Sequence, residues 1–387
     1  MTGIPCASQA ATELELRLEL GTDLAAGPIE VLCTTPSGLA PLPLVARTED
    51  GNWLVIDPAS PTEDGNPRGR LRWIAEDSLR AGNVVLRATV APDWQAPSPF
   101  ELRPLGTDGD AELQHLGRRV WRRRARFDPV DFEATYKPYH EIFASDGRTL
   151  ITKGAGGDFP HHRGLFVGWN QTRAERKSYD FWHCREGVHQ QRIGGSSRRT
   201  PCFAESVDLI EWRDADDRAI VAERRALTTW CVSPLLTVFD VEVGLASAIA
   251  VDVVLDGDPQ HAGVQLRLAQ EVHDRAAATV YSLDPGAVDR GNDVWAECRF
   301  AQVKVEVAGH AVTVTHALDE SWPTDALYST RAYGRFGATA RILLEPSRET
   351  ILRTRLVLDC GERDPKRREA TTPRDHKVLS ARLVVAR

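Results

Sequence analysis

The 387-residue chain exceeds what one hydrophobic core usually supports, so two domains, or one large β domain, are expected. With 42% hydrophobic and 27% charged residues it has the composition of an ordinary globular protein, and its formal net charge of −7 argues against general nucleic-acid binding, which needs cations to neutralise phosphates. No segment approaches the ~18 consecutive apolar residues of a membrane helix, so no membrane partner is expected.

The first residues, Met1 to Ser8, lack a basic region followed by an apolar one, which predicts no secretory leader. Seven cysteines, an odd number without a CxxC pair, argue against a disulfide framework or zinc ribbon and predict reduced thiols in the cytoplasm. Period-two alternation then predicts strands at Glu13–Leu20 and Asn83–Val90, with a turn signal at Glu49–Asn52 and another at Glu63–Pro67. The Pro-rich Ala96–Pro99 and the polar Gly106–Gly109 suggest a boundary near residue 110.

The basic run Arg118–Arg126 reads as a solvated strand edge or linker, ahead of an anion-binding patch. Further strands are predicted at Ala248–Leu255, Gly263–Leu268, Val303–Val307, Ala311–Thr315, Arg341–Leu344, Ile351–Leu358 and Val378–Val385. With turns at Asp146-Gly147 and Asp256–Pro259 between them and no long 3.6-residue stripe, the fold class is all-β. A small Ig-like β-sandwich over residues 1–110 would precede a large antiparallel β-sandwich over 111–387.

Five of eleven histidines, His140, His161, His162, His183 and His189, fall within 50 residues, with Glu141, Asp158 and Asp180 nearby. Histidine carries protons near neutral pH and, when neutral, binds metals. The Gly- and Pro-containing run Gly154–Gly164 has loop character, and loops on a rigid sheet tend to carry binding groups. If that stretch is extended, His161 and His162 point in opposite directions, and Arg163 offers a planar fork for an anion or an internal carboxylate. In Ser178–Arg185 the same alternation puts Asp180, Trp182 and Cys184 on one face, and an acid beside a Trp suits a sugar. Trp169 and Trp322 suit either a sugar platform or the core.

On the strand His261–Arg267 the odd positions His261, Gly263, Gln265 and Arg267 share a face, and Tyr328–Gly337, with Arg331 and Tyr333, suits the rim of the same pocket. There is no P-loop, strand-to-helix GxGxxG, GxSxG or HExxH, which removes nucleotide hydrolysis, Rossmann redox chemistry, α/β-hydrolase chemistry and zincin chemistry.

Tyr139-His-Glu-Ile142, His161–Asn170, Ser178–His183, His261–Arg267 and Arg331–Gly337 together resemble the PmoA-like family of bacterial proteins, over roughly residues 115–345. The family's label, "methane oxygenase", would require membrane spans that are absent here. The resemblance implies a β-sandwich fold and a place in carbohydrate catabolism, since members tend to be found alongside sugar-oxidising dehydrogenases; it brings no catalytic residue with it.

The expectation is therefore an enzyme acting on a glycoside or an oxidised (keto) sugar, by hydrolysis or by β-elimination and hydration. His140, His161, His162, Arg163, Asp180 and His183 would be catalytic, while Glu141, Trp169, Trp182, His189, His261, Arg267, Arg331 and Tyr333 would bind substrate. Hydrolysis would need two carboxyl groups, Asp180 with Glu141 or Asp158. No cofactor is certain; a divalent metal ion on His161 or His162 with His140 or His261 fits the residue types, although the spacing does not demand one. A non-catalytic sugar-binding or scaffold protein is the alternative. The expected partner is a small-molecule carbohydrate, and a homo-oligomer is compatible with the chain.

Overall fold

The computed structural model describes residues 12–34, 44–57, 68–90, 98–361 and 378–385. The expected turn at Glu63–Pro67 lies outside them. The chain divides into two compact units, one of residues 1–99, 200–202 and 365–387, the other of 100–199 and 203–364.

In the small unit, Leu14, Leu16, Leu18 and Leu20 alternate with polar residues along Thr12–Leu20, so one face is buried and the other is not. The inward leucines join Leu54, Ile56, Leu71 and Trp73 in one core. Seven strands close into a barrel rather than the expected Ig-like pair of sheets. The closing strand is Val378–Val385, which pairs antiparallel with Thr12–Leu20, Leu14 opposite Val385 and Leu16 opposite Leu383. Two boundaries thus differ from the sequence expectation. Phe100–Pro104 pairs with Ala111–His115 in the large unit, and the C-terminal strand belongs to the small one.

The large unit is the antiparallel sandwich expected from alternation. One sheet has ten strands, running in space from Val288–Asp289 through Val294–Ala296, Leu327–Arg331, Arg335–Thr339, Ala262–Arg267, Gly164–Trp169, Tyr139–Ile142, Arg118–Arg124 and Ala111–His115 to Phe100–Pro104. An eight-stranded sheet, built around the long strands Ala204–Arg213, Ala219–Cys231, Leu236–Ser247 and Thr350–Asp359, supplies the other layer. Trp121, Leu165, Val167, Val264 and Leu266 from the first sheet share a core with Trp212, Leu227, Phe239 and Val241 from the second, each large side chain contributing about 1.5–3 kcal/mol by leaving water. The Trp121 indole N–H donates to Thr229 Oγ1 across the layer at 2.9 Å.

Three local expectations are corrected. Arg118–Arg124 is an interior strand, not a solvated edge, and three of its five arginines are ion-paired: Arg122 with Glu112 and Glu141, Arg123 with Asp208, Arg124 with Asp110. Only the last three residues of the apolar run Ala248–Leu255 fall in a strand, Val253–Asp256, because the Ser247 hydroxyl donates to the Val251 carbonyl at 2.7 Å and its oxygen accepts from Ile249 N–H at 3.3 Å, folding the chain into a turn first. The extended reading of Ser178–Arg185 fails as well, for the strand ends at Tyr179 and a turn follows. The described residues hold two short α-helices, Phe132–Thr135 and Gln270–Asp274, and no helix long and apolar enough to cross a membrane.

Candidate functional site

Alternation in three adjacent strands builds the floor. Leu165, Val167, Val264, Leu266, Phe336 and Ala338 point into the sandwich, which leaves Phe166, Gln265, Arg267 and Arg335 on the opposite face. Gly168 lets the segment Phe181-Trp182 cross this face closely, since a Cβ there would lie 2.5 Å from the Phe181 carbonyl oxygen.

Two turns of one design stand on this floor. Asp180 Oδ1 accepts the backbone N–H groups of Trp182 and His183 at 3.0 and 2.8 Å, closing a tight turn that folds the His183 ring back so that Nδ1 donates to Asp180 Oδ2 at 2.7 Å. Asp258 repeats the arrangement as the cap of the 3₁₀ turn Pro259–His261: Oδ1 accepts from Gln260 N–H at 2.9 Å, and His261 Nδ1 donates to Oδ2 at 3.0 Å. An ionised carboxylate only accepts, so both Nδ1 atoms carry a proton and both Nε2 atoms are left to face a ligand, with a lone pair in the neutral ring and an N–H in the charged one. The two rings lie 5.2 Å apart.

His161 completes the cluster, with its ring 4.5 Å from His183 and 4.1 Å from His162. A turn at residues 160–161 brings the two adjacent histidines side by side, where an extended chain would have sent them apart. Burial pushes the His161 ring down to about 2, helped by the charges of His183 and Lys137, so the ring is neutral over the working range of pH. His162 is 2% exposed and held well below the ordinary histidine value, first by burial and then by His161, Arg335 and Arg267. For His261, burial lowers the ring's affinity for a proton and outweighs the pull of Asp258. Burial works to raise the Asp180 carboxyl, but the hydrogen bonds from His183 and Trp182 prevail and keep it below the usual carboxylate value.

Aromatic rings wall one side. Phe159, 41% exposed, stacks on Tyr333 at 4.8 Å; Tyr333 in turn lies nearly parallel to His162 at 5.9 Å and beneath the Arg267 guanidinium at 4.9 Å. Trp182 is wholly buried and packs edge-on to His162 and His261, so it is floor rather than an open sugar platform.

Several sequence candidates serve structure instead. Arg163 is fully buried and donates to the carbonyls of Pro160, Ala134 and Glu133 with its face over Tyr136, so it pins the loop and makes no ion pair with Asp158 or Asp180. His140 alternates inward with Ile142, edge-on to Trp121 and 3.9 Å from Asp208, on the sheet face opposite the cluster. Glu141 sits 3.5 and 3.6 Å from Arg122 and Arg124. His189 stacks on Phe127 at 4.1 Å and bonds the Gly187 carbonyl. The indole N–H groups of Trp169 and Trp322 donate to the carbonyls of Ala340 and Arg353 in the core. Arg331 holds Asn292 and Asp293.

Other residues belong to the site without having been singled out. Lys137, 1% exposed, donates to the Phe181 and Trp182 carbonyls and so holds the His183 turn; burial lowers its ammonium to about 8. Arg335 donates to Gln265, Ser329 and Gln260. Asp258 was legible: Asp180-Phe-Trp-His183 and Asp258-Pro-Gln-His261 share the spacing Asp-x-x-His, as does Asp158-Phe-Pro-His161. The third copy does not close, because its third residue is Pro160, which has no N–H to give the carboxylate. Asp158 turns instead to Gln270 at 3.1 Å and His273 at 3.5 Å. Among the described residues no three His, Cys, Asp or Glu side chains meet in a metal-holding arrangement.

A family model matches residues 110–372, a stretch that contains every residue of this site. The chain belongs to DUF6807, a family of unknown function. No curated protein matches it. Among solved structures, one described as "Asymmetric conductivity of engineered proteins" is 11% identical to this DUF6807 chain, covers 90% of it and 99% of its own length, and has a TM-score of 0.13, a likeness that carries no argument.

Proposed function

We propose that this DUF6807 protein is an enzyme that moves protons on a sugar derivative, by β-elimination and hydration of an oxidised (keto) sugar, with His183 and His261 as the acid–base pair. The observation that carries this reading is the two Asp–His pairs with rings 5.2 Å apart, each imidazole oriented by its carboxylate and each presenting Nε2. Elimination next to a carbonyl needs one ring neutral at Nε2 to take the proton and the other protonated at Nε2 to return one to the leaving oxygen, and two oriented imidazoles suit that exchange. Two-carboxylate hydrolysis is less well supported, since Asp180 is committed to its turn and Glu141 to two arginines. The resemblance to PmoA-like proteins and their association with sugar oxidation point to the same substrate class, and reduced thiols fit a cytoplasmic setting.

The test is conversion of a panel of glycosides and 3-keto-glycosides by the wild type and by His183→Ala and His261→Ala. Turnover that falls at least a hundredfold in both folded variants supports the reading; turnover unchanged in both removes it. A sugar-binding protein without catalysis is favoured by one feature, the half-open Phe159–Tyr333 stack, and would bind the panel while converting none of it.

A further inference from the structure

Arg267 has no exposed surface, yet none of its three side-chain nitrogens finds a hydrogen-bond partner among the described residues. Five N–H donors buried without acceptors are costly, and proteins ordinarily satisfy or pair such a group. Its surroundings offer no carboxylate in contact: Tyr333 lies against its face, Arg335 and Lys153 add like charge, and Asp158, the acid whose charge reaches it, is 65% exposed and turned to Gln270 and His273. Arg335 on the neighbouring strand is bound on two nitrogens by Gln260, Gln265 and Ser329, which fixes a second cation beside the first.

We propose that Arg267 is the seat of an anionic oxygen group, a carboxylate or a phosphate, carried by the substrate of the histidine site; this rests on the sugar-processing reading and narrows it to acidic sugar derivatives. A guanidinium fork matches two such oxygens, and Tyr333 joins this seat to the cluster, its ring 4.9 Å from the Arg267 guanidinium and 5.9 Å from the His162 ring, with His161 next in line. The Phe159–Tyr333 stack offers an apolar face for the C–H side of the sugar ring, and because Arg267 has no exposed surface the Tyr333 ring must turn aside for the acid group to reach it.

Binding of glucuronate, glucose 6-phosphate and glucose to the full chain, by calorimetry and thermal shift, tests this for the wild type, Arg267→Met, Arg267→Lys and His183→Ala. At least one of the two anions is expected to bind wild type tenfold or more tightly than glucose, with glucuronate the tighter if the group is a carboxylate and glucose 6-phosphate if it is a phosphate. Arg267→Met should abolish that preference and Arg267→Lys weaken it severalfold, while His183→Ala keeps it. Because Met removes an unpaired buried charge, that variant should melt no lower than wild type without ligand, whereas the anion should raise the melting temperature of wild type alone. No anion preference in wild type, or a preference that survives in Arg267→Met, overturns the proposal. Neither result depends on turnover, so a failure here is separate from a failure of the catalytic reading.

Discussion

Asp258 Oδ2 accepts the Nδ1–H of His261 at 3.0 Å, and it does so because the other oxygen of the same carboxylate is already fixed by the turn that carries the histidine. Asp258→Asn would keep the size but not the charge, leaving the ring free to take the other tautomer. The expected result is a fall in turnover of about 10²–10⁴-fold with little change in melting temperature, and Asp180→Asn should behave alike. A steady-state assay on the converted substrate with a parallel melt checks both.

The pH dependence has a definite sign. His261 is held below the ordinary histidine value, so the acid limb of kcat/KM should lie below pH 6.5. Stability should respond too. His140 and His162 stay neutral in the folded state but take up protons once unfolded, so each contributes nothing above about pH 6.5 and costs up to about 1.4 kcal/mol per pH unit as pH falls below it. Denaturant midpoints from pH 7 to 4 for wild type and His162→Asn would reveal the term as a shallower slope in the variant; parallel slopes would contradict it.

Arg163 answers to a different measurement. Replacing it with Met removes the hydrogen bonds of a buried guanidinium to the carbonyls of Pro160, Ala134 and Glu133, which lie on exposed or half-buried residues, and should cost about 1–3 kcal/mol in chemical denaturation. Arg163→Lys should recover little of this, since one ammonium cannot span the three acceptors.

Gly168→Ala tests the close crossing beneath the His183 turn. The added methyl would meet the Phe181 carbonyl at 2.5 Å, so the turn must move, at a cost of about 1–3 kcal/mol and with a loss of turnover. Unaltered kinetics in this variant would mean that the position of His183 is not set by the floor.

The sandwich was legible because period two governs both of its sheets: Phe300–Val307, His310–Leu318 and Thr350–Asp359 all stand where alternation predicts them. Gln265 and Arg267 likewise share a face as expected. Alternation misled where the chain turns. It set His161 against His162 and placed Asp180 away from His183, although a backbone turn closed by His162 N–H on the Phe159 carbonyl and the Asp180 cap had already ended the extended geometry. His140 and Arg163 looked functional by type, and only burial and partner atoms separate a packed imidazole or a bracing guanidinium from one that faces a ligand. The Asp-x-x-His repeat was the signal that spacing alone held.

The barrel of the small unit also sets a schedule for biosynthesis. Thr12–Leu20 leaves the ribosome early and can pair at once with Gly82–Val90 once that strand appears, but its other edge waits for Val378–Val385. At about 5–20 residues per second that wait is roughly 15–60 s, during which an edge of β-strand stands open. The outward Glu13, Arg17 and Glu19 put charge along that edge, which discourages a second nascent chain from adding to it. A chain stopped before residue 378 would keep the edge open for good, so a premature stop late in the gene should show itself first as aggregation of the N-terminal unit.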